Sequence, residues 1–193
     1  MKKMFAIVMA FCFLALGATV SSAEVNYGMY LAPKITYSFY TGDYIKNDAF
    51  NGSTKSGTGS FGGGLSLGYD FYEFYDIPVR VELEYLMRSD AQFDVQGETM
   101  KAQAPKTVFA NAFLDYQNSS NLTPYMTAGA GLGFIENQTR FAWNVGTGVR
   151  FEVTDNVDFD FSVKYVDYGR YELDDFDANL TAIDTSLGVS YTF

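Results

Sequence analysis

Residues able to do chemistry recur at alternate positions in this 193-residue chain. Between Val79 and Arg88, Arg80, Glu82, Glu84 and Arg88 share one parity, while Val79, Val81, Leu83, Tyr85 and Met87 hold the other. The same spacing puts Arg140, Arg150 and Glu152 on one side of a later stretch, and Asp158, Asp160 and Lys164 on one side of the next. Residues two apart on a strand point the same way. Glu82 and Glu84 are therefore placed for acid/base work, but among arginines they fit ion pairs better. The chain has no histidine, and its single cysteine is Cys12. That composition removes a Ser-His-Asp triad, a Cys-His pair and histidine-ligated zinc, so the expectation is a protein without catalysis or cofactor. Asp175-Phe-Asp177-Ala-Asn179 has the one-three-five spacing that opens a calcium loop. Leu180 stands where that loop needs glycine and Ser186 where it needs glutamate, so a solvated acidic loop is expected there.

The elements that must position these charges are read from the period. Eight segments alternate apolar with polar or small residues: 26–39, 60–71, 77–88, 108–116, 124–134, 140–152, 157–168 and 181–193. No helical pattern of useful length interrupts them. The segments Tyr40–Gly59, Ser89–Pro105 and Gly169–Leu180 are long and polar and read as loops. Tyr72–Asp76, Gln117–Thr123 and Thr154–Asn156 read as short turns, and a brief link runs through Asn137. Long and short connections thus alternate, with the Asn137 link as the exception.

The start of the chain carries an address. Lys2 and Lys3 precede an apolar run from Met4 to Gly17, and small residues lead to Ala23. This is the pattern of a secretory signal cleaved after Ala23, and the run is shorter than the ~20 residues of a membrane helix. Loss of Lys2 and Lys3 takes the net charge from −10 to −12 and removal of Cys12 leaves no cysteine. Such acidity excludes nucleic acid as a partner. The remainder, 24–193, is one domain, and the fold expected of it is all-β: an eight-stranded antiparallel up-and-down transmembrane barrel. The charged parity then faces the lumen as a structural ion-pair network of Arg80, Glu82, Glu84, Arg88, Arg140, Arg150, Glu152, Asp158, Asp160 and Lys164. Tyr69, Tyr116, Phe151, Phe159, Tyr191 and Phe193 form an inner aromatic girdle. Tyr37, Tyr85, Phe134, Phe141, Trp143 and Tyr165 form an outer one. A soluble ligand-binding barrel with the faces reversed is disfavoured by these bands, by the terminal Phe193 and by glycines on the polar parity.

Four stretches carry a family resemblance: the Gly-rich Pro124–Gly133, Trp143-Asn144-Val145-Gly146-Thr147-Gly148-Val149-Arg150, Lys164-Tyr165-Val166-Asp167-Tyr168-Gly169, and the terminal Tyr191-Thr192-Phe193. The chain resembles the eight-stranded outer-membrane β-barrels that include opacity-type surface antigens and small porin-like proteins. The resemblance implies an outer-membrane location among lipids and lipopolysaccharide, with Tyr191 and Phe193 as the signal read by the outer-membrane assembly machinery. It also implies surface loops that meet host or other extracellular ligands. A narrow porin or carrier using the charged lumen is the alternative. A lipid-modifying enzyme is less well supported, because histidine is absent.

Overall fold

Val81, Leu83, Tyr85 and Met87 are exposed, whereas Arg80, Glu82, Glu84, Leu86 and Arg88 are buried. Leu83 keeps 57 % of its surface accessible and Glu84 beside it 2 %. A soluble barrel would show the reverse. A strand whose charges are inside and whose aliphatic groups are outside is at home only where hydrocarbon surrounds it.

The computed structural model describes residues 28–45, 56–95, 98–102, 104–135, 138–173 and 176–193; the segment read as a secretory signal lies outside them. The strands are β1 (Met29–Ile45), β2 (Ser56–Asp70), β3 (Val79–Arg88), β4 (Ala91–Val95), β5 (Glu98–Ala102), β6 (Lys106–Asp115), β7 (Leu122–Ile135), β8 (Gln138–Thr154), β9 (Val157–Leu173) and β10 (Phe176–Thr192), with one helical turn, α1 (Tyr72–Tyr75). Eight of the strands close an antiparallel barrel in the order β1-β10-β9-β8-β7-β6-β3-β2, and β4 pairs with β5 as a separate hairpin. The expected eight-stranded up-and-down barrel is what the chain forms.

Closure joins the first strand to the last. The β1–β10 ladder runs from Tyr30↔Thr192 to Ile45↔Asp177. The Phe193 amide donates to the Met29 carbonyl at 3.0 Å, and the Thr192 amide to the Asn156 carbonyl at 2.9 Å. Pairing every strand satisfies the backbone groups that lipid cannot.

The three segments read as loops are largely strand where they are described. β1 continues through Tyr40 to Ile45, β2 begins at Ser56, and β9 and β10 extend to Leu173 and Phe176. The polar composition of these stretches reflects water above the membrane, not a lack of pairing. Gly42↔Ser56 and Leu173↔Phe176 show that ladder partners are present to the top. Ser89–Pro105 contains the β4–β5 hairpin, from Ala91↔Ala102 to Val95↔Glu98.

The opposite end is built by short side-chain devices. The Asn118 Oδ1 accepts from the Ser120 amide at 2.8 Å, and its Nδ2 donates to the Leu122 carbonyl at 2.9 Å. Asn156 Nδ2 donates to the Thr192 carbonyl at 2.9 Å, tying the β8–β9 turn to β10. The Tyr72–Asp76 turn is a single helical turn started by the Tyr72 amide donating to Asp70 Oδ1 at 2.9 Å. It ends at Asp76, a non-glycine residue at φ 53°. α1 leaves Tyr72, Phe74 and Tyr75 exposed beside the Tyr69–Phe71 ring pair, 4.8 Å apart, which enlarges the inner girdle. Tyr191 and Phe193 meet edge-on at 5.4 Å, and Trp143 lies 5.6 Å from Tyr165 at the other rim.

Candidate functional site: the barrel interior

Interior-facing side chains fall into three layers. At the end bearing the short turns, β3 and β6 hold Arg80 against Asp115: Nε to Oδ2 at 2.7 Å and Nη2 to Oδ1 at 2.9 Å. This is the forked geometry that matches guanidinium to carboxylate. The rings of Phe113, Tyr125 and Tyr30 stand 4.6, 5.1 and 6.0 Å from the guanidinium carbon. Arg150 from β8 reaches Asp70 Oδ2 at 3.0 Å and lies 3.8 Å from Asp115 Oδ2, so Asp115 is shared by two arginines.

In the middle, Lys34 on β1 donates to Glu82 Oε1 at 2.8 Å and to Glu84 Oε2 at 2.7 Å. Lys164 on β9 reaches the same Glu84 oxygen at 3.0 Å. Glu84 on β3 therefore lies between two ammonium groups, one from β1 two strands away and one from β9 directly across the barrel. Tyr30 donates to Glu82 at 3.3 Å, Tyr125 to Asp160 at 2.8 Å, and Asn144 to Asn111 at 2.9 Å. Bulky side chains cross the lumen here because glycines leave them space. A Cβ at Gly68 would run into the Tyr30 ring, and one at Gly148 into the Tyr125 phenol.

Toward the long-strand end, Arg88 is held on every side. Nη2 meets Asp184 Oδ2 at 2.6 Å, Nε donates to Ser38 Oγ at 2.8 Å, and Nη1 donates to Thr107 Oγ1 and the Pro105 carbonyl, both at 3.1 Å. Immediately beside it the lumen becomes apolar. Tyr40, Ala104, Phe109, Ala142, Val166, Tyr168 and Ala182 form one buried cluster with Ile135 and Leu180 against it.

Of the ten charged residues singled out from the sequence, Arg80, Glu82, Glu84, Arg88, Arg150 and Lys164 make ion pairs. Asp160 is half-buried and takes the Tyr125 hydroxyl instead. Asp158 accepts from Ser190 Oγ at 3.3 Å, and Arg140 donates to Gln138 Oε1 at 3.4 Å. Glu152 is exposed at the rim opposite Asp158. Among the described residues, Arg140, Glu152, Asp158 and Asp160 make no ion pair. Glu152, Asp158, Asp70 and Arg150 instead line a polar vestibule of about 230 Å³. Four partners that complete the pairs, Lys34, Asp70, Asp115 and Asp184, were not singled out; each lies on the interior parity of its strand, which is the signal that finds them. Asp177 and Asn179 of the calcium-like spacing lie in β10, and Asp175 lies outside the described residues.

Comparison with known proteins agrees with this architecture. Residues 7–193 match the model of the outer membrane protein beta-barrel domain. Outer membrane protein PagN of Salmonella typhimurium is 30 % identical in an alignment covering the whole of both chains. Among solved structures, Neisserial surface protein A superposes with a TM-score of 0.61 at 20 % identity, covering 86 % of this chain and 97 % of its own. The outer membrane protein OprG from Pseudomonas aeruginosa superposes at 0.56 with 16 % identity, covering 88 % and 97 %. At those identities the two structures speak for the fold. This chain belongs to the outer membrane protein β-barrel family and is an integral protein of the outer membrane.

Proposed function

We propose that the chain is a non-catalytic surface protein that meets extracellular ligands through the strands and loops it raises above the membrane. The observation that carries this reading is the unequal height of the barrel. β3 and β6 are 10 residues long, whereas β1, β9 and β10 are 17. A membrane crossing needs ~9–11 residues of strand. The surplus forms a continuous wall, β9-β10-β1-β2, whose ladders persist to Leu173↔Phe176 and Gly42↔Ser56. Ordered strand beyond the bilayer is a scaffold for binding rather than for spanning. The filled lumen supports the same reading, since eight strands enclose little more than their own side chains. The lumen charges then serve as a structural ion-pair network, and Tyr191 and Phe193 serve as the signal for membrane assembly.

Replacing residues 43–55 with a two-residue turn tests the surface role. Capture of host cells or matrix by expressing bacteria is expected to fall while heat-modifiable gel migration persists; unchanged capture overturns the reading. Deleting Phe193 is expected to lower the amount inserted without altering capture per inserted molecule. The polar vestibule beside Arg150 favours a second reading, a narrow porin or carrier. Steady conductance in planar bilayers would establish that one in place of a sealed interior.

A further inference from the structure

The outer surface of the barrel has a groove beside the seam where β1 meets β10. It encloses about 350 Å³ and is almost wholly apolar. Pro33, Val149 and Val189 form its half-buried floor, and the exposed rings of Phe151, Phe159 and Phe161 stand along it as walls. The dent has a backbone cause. Proline has no N–H to give to a ladder, and the β1–β10 pairing passes from Leu31↔Tyr191 to Lys34↔Gly188 without pairing Ala32 or Pro33. Gly188 adds nothing to the recess, since it faces the lumen, where a Cβ would lie 3.4 Å from the Lys34 Cβ; the dent belongs to Pro33 and the unpaired stretch beside it.

Its depth in the membrane identifies what fills it. Phe151 pairs with Phe159 only a few residues from the β8–β9 turn, where Thr154 pairs with Val157. That is the end with the short turns, where β1 begins and β10 finishes, the periplasmic side. The groove runs inward from the aromatic girdle at headgroup level, on a surface bounded by Ile35 and Leu187, 52 % and 54 % exposed. Hydrocarbon must cover it, and the leaflet at this depth is phospholipid. We propose that this groove is a seat for one acyl chain of a periplasmic-leaflet phospholipid, bound across the closing seam of the barrel. The site is separate from the extracellular surface, and its failure would leave the surface role standing.

The test is native mass spectrometry of folded protein in detergent with dioleoyl phosphatidylethanolamine. Wild type is expected to carry one phospholipid per barrel. Val189→Trp, which fills the floor, is expected to weaken binding about tenfold, or ~1.4 kcal/mol. Val81→Trp, on the lipid face of β3, is expected to bind as wild type does. Phe159→Ala, which removes a wall without adding bulk, provides a second reading should Val189→Trp fail the heat-modifiable migration check. Equal binding by Val189→Trp or Phe159→Ala, equal loss in Val81→Trp, or an adduct with lipopolysaccharide alone would overturn the proposal.

Discussion

The middle of the lumen and its extracellular end solve the same packing problem with opposite chemistry. In the middle, Lys34, Glu82, Glu84 and Lys164 fill space with charges that neutralise one another. At the extracellular end, Phe109, Val166, Tyr168 and Ala142 fill it with close-packed apolar groups. Both sets occupy interior parities, the charges on β1, β3 and β9 and the apolar groups on β6, β8 and β9, and Arg88 with Asp184 marks the change between them. Charges far from water cost several kcal/mol each to desolvate, which a partner in good geometry offsets. Apolar groups carry no such condition and need only fit. The difference teaches that parity decides which way a side chain faces, while the chemistry inside follows from what stands opposite. The layer of paired charges should be intolerant of single losses; the apolar layer should yield gradually.

Arg88→Met tests the sharpest form of that contrast. It leaves Asp184 buried without its cation and is expected to cost about 3–5 kcal/mol in urea unfolding from lipid vesicles. The double variant Arg88→Met with Asp184→Leu should recover most of it. If the double is as unstable as the single, the paired charge is not what matters and the contrast fails. Gly148→Ala drives a methyl into the Tyr125 phenol and is expected to cost about 1–3 kcal/mol. A neutral result would mean that the ionic middle yields as the apolar end does. Phe109→Leu, within the apolar cluster, should cost less than about 1.5 kcal/mol if that layer repacks, with heat-modifiable migration unchanged. Tyr116→Ala, on an exposed ring at the periplasmic rim, lies outside both layers and is expected to shift stability by no more than about 0.5 kcal/mol.

Face assignment was legible within the membrane: the alternation in Val79–Arg88 put each charge inside with Leu86, and Val81, Leu83, Tyr85 and Met87 outside, as the strand does. Strand ends were not. Tyr40–Ile45 and Ser56–Gly59 have the composition of a loop and no clear apolar alternation; only a neighbouring strand at the right register makes them strand. A four-residue helix leaves too short a trace to read, and α1 depends on Asp70, a residue of the preceding strand. Ion-pair partners were half legible. Asp115 and Asp184 share the interior parity, but which arginine each meets depends on strand tilt and register, which no single segment encodes. Phe109 shares the parity of Asn111 and Asp115, yet nothing in its own strand says that it joins Tyr168 across the lumen instead of lining a polar passage.

The unequal strand heights have a mechanical consequence. On one side the barrel ladder ends near Arg88 and Lys106 and the β4–β5 hairpin continues the chain beyond it; on the other, β1 climbs from Thr36 to Ile45, on the order of 30 Å along the strand at ~3.3 Å per residue. The two sides thus reach outward by different means, one through the barrel ladder itself and the other through a hairpin paired apart from it. Bending the hairpin breaks no barrel hydrogen bond, whereas bending β1 strains the seam that closes the barrel against β10.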